Sequence, residues 1–186
     1  LAERQGFLDG VVITGGEPTI QEGLDEFIVQ VRELGFPVKL DTNGSRPQAL
    51  RRLICSGLLD YVAMDVKAPF ERLDWFCGVD VAAIAVASSI EFLLTGFVPY
   101  EFRTTVTPQL TKVDVVRIAQ WIAGAERYVL QQYRMPEGAE ASDPRLTAAP
   151  HDAEWFAEVV REITDLFAKC HTRGLGEVTG TELQVA

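Results

Sequence analysis

At 186 residues, with 47% apolar and 24% charged side chains, the chain has the size and composition of one globular domain with a sizeable core. Its net charge of −10 and pI near 4.7 argue against nucleic acid, whose phosphates reward a basic face, and leave small molecules and proteins as partners. No apolar run approaches the ~18–20 residues that span a bilayer, and no charged-then-apolar leader opens the chain. Three scattered cysteines, Cys55, Cys77 and Cys170, form no CxxC spacing. That speaks against a disulfide framework or a locally built cysteine metal site, and for a reducing, cytoplasmic setting.

Taken in order, strand-like and helix-like segments alternate. Val11–Thr14 is a short apolar run that ends in glycines. Across 23–35, Leu24, Phe27, Ile28, Val31 and Leu34 recur at helical spacing and stop at Gly35. Val38–Leu40 is the next strand and closes on DTNGS, where Ser45 is expected to cap a helix carrying Pro47 in its first turn and ending near Cys55 and Gly57. YVAMDV at 61–66 is a third strand. The alanine- and leucine-rich stretch 81–95 reads as a helix, and EFRTTV at 101–106 as a fourth strand. TKVD at 111–114 matches a capping box, with Asp where Glu or Gln is usual, ahead of a helix to about Ala123. RYVLQQY at 127–133 is a fifth strand, and 135–150 is a loop by composition. Asp152 then caps a helix whose Phe156, Val159, Val160, Ile163, Leu166 and Phe167 form one apolar stripe.

This alternation, with strands that read as apolar on both faces, predicts an α/β fold with a parallel sheet: part of a (β/α) barrel, or an open doubly wound sheet. No linker is long enough to divide the chain, so residues 1–186 are expected to form one domain.

The unusual polar residues fall where the strands end. Gly15-Gly16-Glu17-Pro18 follows the first strand and Asp41-Thr42-Asn43-Gly44 the second. Asp65 and Lys67 close the third, Arg103 lies in the fourth, and Gln131 to Arg134 end the fifth. In a parallel sheet all of these are expected on one rim, where such folds bind ligands. The rim mixes anions (Glu17, Asp41, Asp65) with cations (Lys67, Arg103, Arg134), which suits a ligand carrying both an ammonium and a carboxylate. Buried charges need partners, so the alternative is that the two sets pair with each other. Taken singly, each element except Glu17 is most simply a turn or an exposed end; taken together they read as a site. No GxxxxGK[ST] or GxGxxG loop is present. His151 and His171, beside helices rather than at strand ends, are expected to be structural or exposed, and Trp75, Trp121 and Trp155 to pack. Cys55 and Cys170 read as packed thiols, Cys77 as a loop residue.

GGEP after one strand, DTNG after the next and MDVK after the third resemble the radical S-adenosylmethionine superfamily. The runs VKLDTNG, GLLDYVAMDVKAP, YEFRTTV and RYVLQQYR, covering Leu8 to about Arg134, resemble its glycyl-radical-enzyme activases. Anaerobic ribonucleoside-triphosphate reductase activating proteins and pyruvate formate-lyase activating enzyme belong to that group. The resemblance implies S-adenosylmethionine as cofactor, with its methionyl ammonium at Gly15, Gly16, Glu17 and Pro18. Asn43, Asp65, Lys67, Arg103, Tyr133 and Arg134 would complete the cofactor site, Lys67 and Arg103 orienting the carboxylate. It also implies a monovalent cation at Asp41, Thr42, Ala63 and Asp65. Tyr133-Arg134 stands where related activases carry Tyr-His, so Arg134 departs from the family pattern.

The family reaction is a one-electron reductive cleavage of the sulfonium to a 5′-deoxyadenosyl radical, which takes hydrogen from a glycine of a partner glycyl radical enzyme. A 4Fe-4S cluster fed by flavodoxin or ferredoxin supplies the electron. The family's CxxxCxxC loop before GGEP is absent from these residues, and LAERQGFLDG resembles the tail of the preceding helix. The expectation is therefore a partial (β/α) barrel lacking its first strand and cluster loop, inactive by itself. Its exposed sheet edge would invite self-association. Two rivals stand beside this reading. One is a cluster-less module that binds S-adenosylmethionine or a partner without redox chemistry. The other is an ordinary (β/α) enzyme doing acid–base work, which the absence of a rim His or Cys disfavours.

Overall fold

The computed structural model describes residues 1–77, 83–135 and 148–175. Six strands lie in one sheet in the order β1 (Val11–Ile13), β2 (Val38–Thr42), β3 (Tyr61–Asp65), β4 (Tyr100–Val106), β5 (Arg127–Gln132) and β6 (Lys169–Arg173). The pairs β1–β2, β2–β3, β4–β5 and β5–β6 are parallel, with Asp41 in register with Ala63 and Thr42 with Met64. Helices α1 (Leu24–Glu33), α2 (Pro47–Cys55), α3 (Leu73–Cys77), α4 (Ala83–Leu93), α5 (Lys112–Trp121) and α6 (Ala153–Ile163) connect them. This is the α/β architecture with parallel strands expected of a partial (β/α) barrel.

The chain divides into two compact units. The first comprises Leu1–Asp65 and Asp80–Glu101, the second Val66–Val79 and Phe102–Ala186. In the first, Ile28 and Val31 of α1, Leu50 and Leu53 of α2, Ile90 and Leu93 of α4 and Leu40, Val62 and Met64 of the strands are all at most 1% exposed. The α1 pattern holds except for Phe27, which is 47% exposed: a stripe i, i+4, i+7 already fills the buried face, and position 27 falls beside it. In the second, α5 packs on α6, and Ile118, Phe156, Val159 and Ile163 are fully buried with Tyr128 and Leu130 of β5. Side chains of that size contribute roughly 1.5–3 kcal/mol each on burial, so these two clusters carry most of the hydrophobic stabilisation.

Three expectations are corrected. The N-cap of α2 is Arg46, not Ser45, and it makes no side-chain cap; Pro47 at the first position leaves one fewer N–H to satisfy. Not every strand is apolar on both faces: β3 and β5 each bury three consecutive residues, but β2 buries Val38, Leu40 and Thr42 while Lys39 and Asp41 on its other face are only half-buried. A sixth strand, Lys169–Arg173, holds His171 and the buried Cys170, where the sequence shows no strand. Its pattern KCHTR is too polar to announce a strand; pairing with β5 makes it one. The loop expected at 135–150 lies mostly outside the described residues. The Thr111–Asp114 capping box and the Asp152 cap form as read, the latter accepting from the Trp155 N–H.

Candidate functional site

The turn after β1 is shaped by its glycines. Gly15 and Gly16 hold φ of +103° and +57°, a region that L side chains rarely adopt, and open space lies where their Cβ atoms would be. Pro18 then starts a single 3-10 turn that ends at Ile20. Glu17 is only 7% exposed, so its carboxylate has to find partners inside the protein. It finds them on two segments. Oε1 accepts from the Thr19 N–H (3.2 Å), the Thr19 hydroxyl and the Thr42 hydroxyl (2.8 Å); Oε2 accepts from the Asn43 N–H at 2.7 Å. The GGEP turn and the end of β2 are thereby tied together across 25 residues of chain.

The turn after β2 has its own fastenings. The Thr42 hydroxyl also accepts from the Gly44 N–H (3.1 Å), and Asn43 Oδ1 accepts from the Ser45 N–H (2.9 Å) in an Asx turn. Gly44 sits at φ +72°; a Cβ there would overlap Met64 Cε and stand 2.9 Å from its Sδ. The fully buried Ser89 of α4 donates to the Gly44 carbonyl at 2.7 Å. Sequence reasoning passed over Ser89, Met64 and Thr19. The legible signal for Ser89 was a serine pair, Ser88-Ser89, within the run IAVASSIEFL, which is apolar apart from that pair and Glu91, since a buried hydroxyl needs a partner.

Asp41, Thr42, Ala63 and Asp65 come together at the C-terminal ends of two adjacent strands. Successive side chains alternate faces, so Asp41 and Thr42 point oppositely, and the Thr42 hydroxyl is already engaged with Glu17 and Gly44. On the Asp41 face, Lys39 Nζ lies 3.8 Å from Asp41 and 3.4 Å from the buried Glu101, which also accepts from the Tyr61 hydroxyl at 3.4 Å. Sequence reasoning did not foresee this cluster.

The cationic residues belong to the second unit. Lys67 is exposed just after β3, with the backbone ahead of it held by the Val66 N–H on the Arg103 carbonyl (2.8 Å) and the Thr104 hydroxyl on the Val66 carbonyl (2.7 Å). Arg103 is half-buried in β4, Tyr133 half-buried after β5, and Arg134 exposed with its guanidinium beside Gly174. The Tyr133 hydroxyl is buried without a hydrogen-bond partner among the described residues. His151 is structural, as expected: its Nε2 lies 2.9 Å from the Leu110 carbonyl and its ring stacks on Trp155.

The described cysteine side chains, Cys55 and Cys170, do not fit an iron-sulfur cluster. Cys170 is buried, and that burial pushes its thiol up to about 11, away from the thiolate that iron needs. Cys55 is exposed at the end of α2, and among the described residues no three His, Cys, Asp or Glu side chains are grouped to hold a metal ion.

A profile of the Radical SAM superfamily matches residues 1–122. The chain belongs to that superfamily. A Methanocaldococcus jannaschii protein named as a glycyl-radical enzyme activating enzyme is 36% identical over 154 residues, covering 80% of this chain and 63% of that protein. The chain therefore spans less than two thirds of that relative's length. Among solved structures, a domain of pyruvate-formate lyase-activating enzyme from Bacteroides vulgatus aligns over 91% of this chain and 100% of its own, with TM-score 0.67 and 16% identity. SuiB of Streptococcus suis, crystallised with S-adenosylmethionine, aligns over 93% of this chain and 43% of its own, with TM-score 0.69 and 15% identity. At those identities the two structures speak for the fold. The Radical SAM superfamily, to which the chain belongs, is one built around S-adenosylmethionine and a 4Fe-4S cluster. Among the described residues no helix is long and apolar enough to cross a membrane.

Proposed function

We propose that this chain is the S-adenosylmethionine-binding core of a glycyl-radical-enzyme activase, with a partner of the anaerobic ribonucleotide reductase or pyruvate formate-lyase type. The observation that carries it is the pair of turns after β1 and β2, locked into one cradle by Glu17 in a chain of the Radical SAM superfamily. In this reading Gly15 and Gly16 offer close backbone approach to the methionyl ammonium, with Glu17, Pro18 and Asn43 shaping that end. Lys67 and Arg103 serve the carboxylate, with Asp65, Tyr133 and Arg134 completing the site. A monovalent cation at Asp41, Thr42, Ala63 and Asp65 would take the Thr42 carbonyl rather than its hydroxyl, which has partners already.

When bound, S-adenosylmethionine would supply a sulfonium whose one-electron reduction releases methionine and a 5′-deoxyadenosyl radical, the electron coming from a flavodoxin or ferredoxin donor. Cys55 and Cys170 do not fit a 4Fe-4S cluster, and the chain by itself is expected to generate no radical. The same observation favours a second reading: a module that binds S-adenosylmethionine or the partner enzyme without redox chemistry of its own. Self-association through the β1 edge belongs to both readings, because Val12 stands 53% exposed there; light scattering that finds only monomer would remove it.

Anaerobic reconstitution with iron and sulfide, followed by titration with S-adenosylmethionine, tests the proposal. The expected result is saturable binding with no stable cluster absorbance and no 5′-deoxyadenosine. A stable cluster on these cysteines would overturn the expected inactivity. Absence of any S-adenosylmethionine binding at millimolar concentration would sink both cofactor readings.

A further inference from the structure

Glu17 raises a question that ligand binding alone does not answer: a residue meant to meet a ligand's ammonium should have its carboxylate open, and this one is enclosed. A carboxylate offers about four acceptor positions. Here it receives the Thr19 N–H and hydroxyl, the Thr42 hydroxyl at 2.8 Å and the Asn43 N–H at 2.7 Å, in a side chain 7% exposed. We infer that Glu17 is a positioning residue, a clamp that holds the β2 turn against the β1 turn and sets the shape of the cradle without itself contacting the ligand. The inference rests on the reading of these turns as the S-adenosylmethionine site.

Three features support the clamp. Two of its four bonds run to a segment 25 and 26 residues away, which a local turn would not need. Its reach extends past its direct partners, because the Thr42 hydroxyl passes a bond on to the Gly44 N–H while Ser89 holds the Gly44 carbonyl from the other side. The backbone of Gly15 and Gly16, by contrast, is exposed, with open space above both α-carbons. The ligand-facing surface is therefore the peptide backbone, and the carboxylate lies beneath it.

The test uses the full chain and two independent readouts. In amide hydrogen exchange, Asn43 and Gly44 should be protected in the wild type. Glu17→Gln and Thr42→Val should speed their exchange on the order of tenfold or more, since hydrogen bonds to charged groups are the strong ones. The Val62 amide, bonded to the Pro99 carbonyl, should stay unchanged, and Thr42→Ser should restore protection. In binding, Glu17→Gln should weaken S-adenosylmethionine and its deaminated analogue by the same factor. If Glu17→Gln weakens only S-adenosylmethionine, Glu17 is a direct ammonium contact and the inference is overturned. If Asn43 exchanges at the rate of an exposed amide in the wild type, the clamp does not exist. If the wild type binds neither compound, the cofactor reading fails, and the exchange data still decide the clamp.

Discussion

The turn after β2 and the segment after β3 both carry residues expected to meet the same ligand, yet they are built in opposite ways. The first is made of short side chains and glycines: Thr42, Asn43 and Gly44 are buried or half-buried and fastened by Glu17, Ser89 and Met64. The second ends in Lys67, a long exposed side chain whose preceding backbone alone is held. A fixed backbone shape gives orientation at no further ordering cost. A long cation gives attraction but must lose rotamer freedom when it binds. The difference teaches that rigidity has been concentrated where backbone is to approach a ligand closely, and adaptability left to the charged side chains.

The sharpest way to break the comparison is at Gly44. Gly44→Ala forces a left-handed conformation on a Cβ that overlaps Met64, and the two effects together should cost about 2–4 kcal/mol in urea unfolding. A loss below about 1 kcal/mol would show that the turn relaxes freely and is not the rigid partner. A smaller effect is expected in the second unit at Asp114. Burial by itself raises the Asp114 carboxyl, but bonds from Arg72 and Thr111 outweigh it and hold the group below its usual range. A lowered folded-state value means its contribution is in place above about pH 5 and is lost as pH falls through that value. Asp114→Asn should therefore cost about 1–2 kcal/mol near neutral pH, and the two stabilities should converge on acidification below about pH 4. Parallel curves across that range would show that the charge contributes nothing there. The least disturbance is expected at Lys67: Lys67→Ala should leave the unfolding midpoint within about 0.5 kcal/mol, while weakening S-adenosylmethionine several-fold. Unchanged affinity would remove Lys67 from the site and leave the fixed turns as its main support.

Much of this was legible in the chain. Apolar runs of three to five residues alternating with helical stripes announced a parallel α/β sheet; of the expected stripe, Phe156, Val159, Val160 and Ile163 are buried on α6, while Leu166 and Phe167 fall beyond its end. GGEP and DTNG stood out because polar, glycine-bearing turns recur at successive strand ends, although each taken singly is most simply a turn. What stayed hidden has one physical origin: it depends on pairs far apart in sequence. Lys169–Arg173 has too little apolar periodicity to be read as a strand until β5 lies beside it. Lys39 on β2 reads as a solvated residue until Glu101, 62 positions on, comes within 3.4 Å.

Glu17 divides the two kinds of information. The sequence alone determined that a carboxylate stands in a glycine–proline turn after a strand, because local backbone preference and the pattern around it are written in neighbouring residues. Only the tertiary structure decided what that carboxylate does, because Thr42, Asn43 and, through Gly44, Ser89 reach it by folding, and a buried charge is held by whichever donors the fold brings near.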